Sequence, residues 1–474
     1  MSSLHTTLIH ILDNDSLLNI FRLYRPFLLG EGQHVNIRFQ GGGRWVGERW
    51  WYRLAHVCQR WRSLILGSAS YLGLCLVCTY GTPLADMLAH SPPLPLVIDY
   101  EYKAITVEDE EAIILVLAHR DRVRRIRLTL PVLTLQKLIM AIDGEYPILE
   151  YLLLEDSPKA RSTVLILPET LQTPHLRQVA IQNSIQIPIR SPLLGTVAGL
   201  VVLHIRSYHS STYFQPTTLL QWLSLMPQLE MLLIAFCFPV SNLDVEKQLA
   251  STPIMIHVTL PNLRVFSFEA VSAYSEAVLN RITAPRLEDF QICYPKQLTF
   301  SVPQLLQFMG RSENLRFYRA RFSFHSDHVY VTVYPPEVET DAFSMVVSGR
   351  HLDRQVSYVA QIFNALRQMF STVEHLTLRH KVYNQSSVEH NEVGRNEWRK
   401  LLRSFSNVKT LRIEDGLIEE LSRCLRLEDG EYALELLPEL QELTYPGRGN
   451  VDNVFAQFVD VRQNAGRPVT LVKS

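Results

Sequence analysis

Cysteine is scarce in this chain. Six residues in 474 (Cys58, Cys75, Cys78, Cys237, Cys293 and Cys424) are too few and too scattered for a disulfide framework, and they fit a reducing compartment. An excess of one charge is also lacking. The net charge is −1, so no overall basic field points to nucleic acid. No apolar run approaches the ~18–20 residues needed to span a bilayer. The opening Met1-Ser-Ser-Leu-His5 has neither the basic start nor the small-residue cleavage site of a secretory signal. By elimination the expected compartment is the cytoplasm or nucleus, where the sequon at Asn384-Gln-Ser386 carries no meaning. Catalytic signatures are missing too: there is no Gly-Lys-Ser/Thr phosphate loop, no His-Glu-x-x-His and no Gly-x-Ser-x-Gly.

What is present is a folded chain. Hydrophobic residues make up 47%, which rules out global disorder. A length of 474 residues exceeds the size at which one core stops growing, so two domains or one elongated repeat array are expected. Residues 1–80 hold eight Arg and four acids, net +4, and the remainder balances at −5, a hint that the N-terminal part meets an acidic surface.

Two N-terminal segments read as short amphipathic helices. Asp13, Asn14, Asp15 and Ser16 are capping residues, with Leu17, Ile20, Phe21 and Tyr24 following at helical spacing. Pro26 ends that helix near Arg25. Gly30, Gly32, Gly41, Gly42, Gly43 and Gly47 make residues 30–49 a loop. Helix resumes near Trp50, and Leu54, Val57, Cys58, Trp61, Leu64 and Ile65 form one apolar stripe with Gly67 as its stop.

From about residue 82 a different rule governs: apolar residues at n, n+3 and n+5. It appears in the segments starting at Val123, Leu149, Leu176, Leu200, Leu229, Leu263, Leu287, Leu315, Val373, Val408 and Leu440. A degenerate copy at Phe343–Ser348 and half-copies at Leu96–Ile98 and Val469–Leu471 complete the series. Successive spacings run from 24 to 35 residues, and helical stretches such as Thr218–Leu225, Val302–Met309, Tyr358–Phe370, Trp398–Phe405 and Leu417–Leu425 precede many copies. A period of about 20–29 with this pattern marks leucine-rich repeats. One strand and one helix cannot bury three large apolar side chains alone, whereas a neighbour on each side can. The expected fold is α/β: a helical N-terminal domain over 1–80 with its insert at about 30–49, then an irregular leucine-rich-repeat solenoid over 82–474. The strands form one parallel sheet inside and the helices lie outside.

The N-terminal segments resemble an F-box. The family's first helix reads approximately Leu-Pro-x-Glu-x-Leu-x-x-Ile-Phe. Here Leu12, Asp15, Leu17, Ile20 and Phe21 occupy those places or adjacent ones, and Asp13 stands where the family has proline. In Leu54-Ala-His-Val-Cys-Gln-Arg-Trp-Arg-Ser-Leu64 the family's Val57, Cys58, Trp61 and Arg62 are in place. The whole chain resembles F-box-like proteins of mushroom-forming fungi, which share stretches such as Gly81-Thr-Pro-Leu-Ala-Asp-Met-Leu-Ala-His-Ser91 and Pro227-Gln-Leu-Glu230. The resemblance implies docking to a Skp-family adaptor, and through it a cullin, in an SCF-type ubiquitin ligase. Leu12, Leu17, Ile20, Phe21, Leu54, Val57, Cys58 and Trp61 would build or dock the F-box. The repeats would hold a protein substrate, and the module would perform no covalent chemistry. A repeat scaffold outside any ubiquitin ligase is the alternative. No motif supports an enzyme, a cofactor or a metal site.

Other signals read as structure. Cys75-x-x-Cys78 would need two more zinc ligands. His204 and His209, or His375 and His380, have usable spacing but lie far along the chain, so ordinary buried thiols are expected. His119-Arg-Asp121 lacks every other kinase element. Gly41-Gly-Gly-Arg-Trp-Val-Gly47 misses the dinucleotide spacing by one residue. Glu108-Asp-Glu-Glu111 follows Thr106 as a capping-box start to a helix. Arg120, Arg122, Arg124, Arg125 and Arg127 form the one dense basic cluster, read as a solvated face, with an acidic partner patch and, further behind, nucleic acid as the alternatives.

About thirteen strands at ~4.8 Å spacing give a face of roughly 60 Å carrying about 30 outward side chains. A standard protein interface uses ~20–30 residues per side, whereas a small metabolite prefers an enclosed pocket. The expected client-facing set is Arg125, Arg127, Gln178, Met231, Val265, Ser267, Asp289, Gln291, Phe317, Arg319, Thr410 and Arg412.

Overall fold

The structure is a computed structural model that describes residues 12–24, 50–101, 105–156, 163–209, 213–237, 242–251, 254–295, 302–312, 314–336, 341–381, 392–414, 416–426, 432, 434–446 and 454–473. The glycine-rich insert, the helix end expected at Arg25, Trp45 and the sequon lie outside the described residues. The chain divides into two compact units, Met1–Val197 and Ala198–Ser474, and the change of pattern near residue 80 falls inside the first.

Among its described residues the first unit begins with the helices α1 (Asn14–Tyr24), α2 (Trp50–Ala55), α3 (Gln59–Gly67) and α4 (Ala69–Leu72). Asp13 starts α1 by accepting the Ser16 amide at 2.7 Å, and this bond holds its carboxyl below the usual range. The single stripe expected over Leu54–Ile65 is two helices. Cys58 is extended (φ −159, ψ 167) as the N-cap of α3, and Arg62 Nε donates to the last carbonyl of α2, Ala55, at 3.0 Å. Helix α3 ends on Gly67 itself, with Ser68 as its C-cap, and Gly73 closes the short α4 in the left-handed conformation (φ 62).

Five parallel strands follow in the order β1 (Leu76–Cys78), β2 (Leu96–Glu101), β3 (Val123–Leu130), β4 (Tyr151–Asp156) and β6 (Gln178–Asn183). A short pair, β5 (Leu165–Ile166) with β7 (Ile185–Gln186), forms its own two-stranded sheet. The crossovers carry α5 (Leu84–His90), α6 (Val107–Ala118) and α7 (Val132–Ala141), and α8 (Pro192–Gly195) comes after β7. Parallel neighbours need connections of a dozen or more residues, which even the closest pair, Leu76 of β1 opposite Leu96 of β2, supplies. Thr106 and Asp109 form the expected capping box on α6. Strand β1 has no counterpart in the repeat pattern, yet it pairs with β2 along its whole length.

In the second unit the strands are β8 (Val202–Ser207), β9 (Met231–Phe236), β10 (Val258–Thr259), β11 (Val265–Glu269), β12 (Ile282–Thr283), β13 (Asp289–Tyr294), β14 (Arg319–Phe324), β15 (His328–Tyr334), β16 (Phe343–Ser348), β17 (His375–His380), β18 (Thr410–Ile413), β19 (Glu442–Tyr445) and β20 (Thr470–Lys473). The helices are α9 (Pro216–Ser224), α10 (Asn242–Ser251), α11 (Ser272–Leu279), α12 (Pro303–Gly310), α13 (Leu352–Ala365), α14 (Arg367–Phe370), α15 (Glu392–Leu402), α16 (Ile418–Leu425) and α17 (Ala456–Asn464). The inward residues of the n, n+3, n+5 rule are buried at Leu229, Leu232 and Ile234, at Leu263, Phe266 and Phe268, and at Val408, Leu411 and Ile413.

The sheet is not wholly parallel, contrary to expectation. Its order runs β8-β9-β11-β13-β16-β15-β14-β17-β18-β19-β20, with β15 antiparallel to both neighbours. The chain leaves β13, reaches β14 beside β17 and returns through β15 to β16 beside β13. The hairpin turn closes with the His325 amide donating to the His328 carbonyl at 2.8 Å. Buried Gln355 on α13 donates to the carbonyls of His325 (2.8 Å) and Gly349 (2.6 Å), tying the turn to the helix layer. The degenerate copy at Phe343–Ser348 is a strand, but it buries Phe343, Met345 and Val347 at alternate positions, with Ser344 buried as well.

Candidate functional site

The N-terminal helices present a mixed apolar surface. Leu17 and Phe21 are fully buried, and Phe21 meets Trp61 edge-on with ring centroids 4.8 Å apart. Leu12, Leu54, Cys58 and Trp61 are half-buried. Ile20 (44% exposed), Leu23 (79%), Tyr24 and Val57 (59%) are open to solvent. Val57 is open because it occupies the turn between α2 and α3 rather than a helix stripe. Of the eight residues expected to build or dock this surface, two are thus core, four are partly covered and two are exposed.

Arg60 holds the surface together, and the apolar spacing gave no sign of it. From α3 its guanidinium donates to the Leu12 carbonyl at 2.6 Å and to Asn14 Oδ1 at 3.0 Å, fixing the start of α1. Tyr71 on α4 donates to Asn19 Oδ1 at 3.0 Å. Trp51 Nε1 donates to the Cys75 carbonyl at 3.3 Å, joining the helices to the strand edge. Cys75 and Cys78 are buried there, with Cys78 Sγ 3.5 Å from the Tyr100 hydroxyl.

The second candidate surface is the sheet face opposite the buried side chains. In the first unit Arg127 is on that face but is not available for a client. Its guanidinium binds Asp99 through two bonds of 2.6 and 2.9 Å, with Glu101 at 3.3 Å, and the residue is buried. Arg124 pairs with Glu150 at 2.9 Å and Arg122 binds the Leu94 carbonyl at 3.1 Å, so much of the basic cluster is consumed internally. Arg125 is half-buried and Gln178 is exposed.

In the second unit Met231 is buried, while Val265, Ser267, Asp289, Gln291 and Thr410 are half-buried and Arg319 and Arg412 exposed. Phe317 is core, not surface. Its ring stacks on Phe370 at 5.0 Å, and Tyr318 takes the half-exposed place expected for a buried residue. The face changes character along its length. On β8 to β13 it carries His204, Arg206, Glu269, Asp289 and the thiols Cys237 and Cys293. Burial pushes Asp289 up to about 6, aided by Asp341 and opposed by Gln291. Burial, with Arg206 beside it, brings His204 down to about 4, and burial with Glu269 nearby pushes Cys237 up to about 11. Those shifts leave a neutral imidazole and a neutral thiol near pH 7, the unreactive form of the sulfur. On β14 to β19 guanidinium and hydroxyl groups predominate instead. Among the described residues no group of three or more His, Cys, Asp and Glu could hold a metal ion, and no helix is long and apolar enough to cross a membrane.

These elements define a mixed α/β protein built on a large, mostly parallel sheet with helices between its strands. In comparisons with known proteins, no family model matches this chain and no curated protein matches it.

Proposed function

We propose that the chain is the substrate-recognition subunit of an SCF-type, cullin-based ubiquitin ligase acting in the cytoplasm or nucleus. In this reading α1 to α3 are an F-box that docks a Skp-family adaptor. The strand-and-helix units of both parts are an irregular leucine-rich-repeat solenoid whose open sheet face holds a protein substrate. The observation that carries the reading is the division of labour on α1. Leu17 and Phe21 turn inward while Ile20, Leu23 and Tyr24, with Val57 from the neighbouring turn, remain exposed. Apolar side chains clustered at the surface mark a place where another protein removes them from water. The module itself carries out no covalent step and takes no cofactor.

The test is a pull-down of the full chain with a purified Skp-family adaptor. Wild-type protein is expected to bind. Ile20→Asp is expected to lose binding while its circular dichroism stays unchanged, because Ile20 is exposed and contributes little to the core. Folded wild-type protein that fails to bind the adaptor would instead favour a repeat scaffold outside any ubiquitin ligase.

A further inference from the structure

Register places Arg321 on β14, Thr377 on β17, Arg412 on β18 and Thr444 on β19 side by side across four adjacent strands. Their chain neighbours Phe322, Leu376, Leu378, Leu411, Ile413 and Leu443 are buried, so this row lies on the opposite, open face. Both arginines are exposed, while the Thr444 hydroxyl is already spent on Glu442. Arg319 and Arg379 flank it on β14 and β17. Among the described residues no carboxylate lies within ion-pair distance of Arg319 or Arg321, although Asp341, which accepts from the Tyr330 hydroxyl at 3.5 Å, feels the charge of Arg321. Each leans instead over a tyrosine ring, Tyr318 or Tyr334, with its guanidinium carbon 5.9 Å from the centroid. Two of the acids on these strands are already paired with cations, and a third, Glu442, is held by a hydroxyl. Glu414 is shared by Arg379 (3.0 Å) and Arg412 (3.8 Å), Glu374 pairs with Lys409 (2.9 Å), and Glu442 accepts from Thr444 Oγ1 (2.9 Å). Guanidinium groups therefore outnumber free carboxylates on this part of the sheet.

We propose that the β14–β19 face binds an extended acidic segment of the client protein, with carboxylates three residues apart meeting Arg321 and Arg412. This rests on the reading of the sheet face as the client-holding surface. The two arginines stand on strands two steps apart, about 9.6 Å at the usual strand spacing. A polyproline II segment repeats its side-chain direction every three residues and advances about 9.3 Å in doing so. A Glu-x-x-Glu sequence in that conformation matches the interval. The flanking Arg319 adds a further donor, and Thr377 fills the step between the two charges. A nucleic acid strand would also offer regularly spaced anions, but the half of the face over β8 to β13 carries Glu269 and Asp289 and would repel a continuous polyanion.

The probe is a fluorescein-labelled (Glu-Pro-Pro)n peptide, titrated against the full-length protein and read by anisotropy. A (Lys-Pro-Pro)n peptide and an oligothymidylate serve as counter-probes. The Glu peptide is expected to bind, with affinity falling as salt rises. Arg321→Glu and Arg412→Glu are each expected to weaken it by about tenfold or more, while Arg311→Glu on the exposed end of α12 leaves it unchanged. Arg321→Gln, which adds no opposing charge, guards against misfolding and should weaken binding in the same direction. Absence of binding, equal binding of the Lys peptide or the oligothymidylate, or indifference to both arginines would overturn the proposal. The adaptor pull-down is run on the same preparation. Retained adaptor binding beside a silent Glu peptide defeats this inference alone, and loss of both defeats the wider reading.

Discussion

Phe317 lies between Phe370, stacked at 5.0 Å, and Phe343, edge-on at 6.2 Å, so its ring belongs to the aromatic core beneath β14. Removing it leaves a cavity that rigid strands on either side cannot close. Phe317→Ala should therefore cost about 3–5 kcal/mol and Leu232→Ala about 2–5 kcal/mol, whereas Arg319→Ala should stay within about 0.5 kcal/mol. Equilibrium chemical denaturation measures all three, and equal costs at Phe317 and Arg319 would refute the register. The n, n+3, n+5 pattern places Leu232 correctly because β9 begins two residues after its leading Leu229. It misplaces Phe317 because β14 begins four residues after Leu315, where the chain is entering a hairpin. Buried charges were illegible for another reason. Arg462 is fully buried and donates to the carbonyls of Leu437 (3.0 Å), Pro438 (2.9 Å) and Leu440 (3.2 Å), 22 to 25 residues away. No local pattern reports a partner at that distance.

At the scale of elements, charge links one helix to the next. Glu276 on α11 accepts from the amides of Gln304 (2.6 Å) and Leu305 (3.2 Å), capping the start of α12 from outside. Burial outweighs those two bonds and pushes its carboxyl from 4.5 up to about 7. The folded state therefore holds a proton that the unfolded state releases, and stability must fall as pH rises from 4.5 to about 7. Glu276→Gln keeps the accepting oxygen but cannot ionise. Its melting temperature should lose this part of the pH dependence, and a profile identical to wild type across that window would show that Glu276 does not titrate there. Helix and strand identities were largely readable, since apolar spacing and Thr106 or Asp13 mark starts locally. The break at His56–Cys58 was not, because Arg62 supplies the bond that ends α2 from the following helix.

At the scale of the whole molecule, edges govern behaviour. Among the described residues strand β20 is the last of its sheet and pairs only with β19, covering backbone groups from Glu442 to Tyr445. Ending the chain after Pro468 would uncover that edge and remove buried Val469. Light scattering should then report concentration-dependent association that the full chain does not show, and a monodisperse truncated protein would count against the edge's importance. By itself the sequence determined that short strands alternate with helices and which side chains most strands bury. Both follow from spacing along the chain, because a side chain's direction is set by its own backbone. Only the tertiary structure decided the order of the strands, the reversal at β15, the exposure of Ile20 beside buried Phe21, and the gathering of Arg321 with Arg412. Each of these depends on which distant segments become neighbours, and the hydrophobic drive that brings segments together is blind to direction.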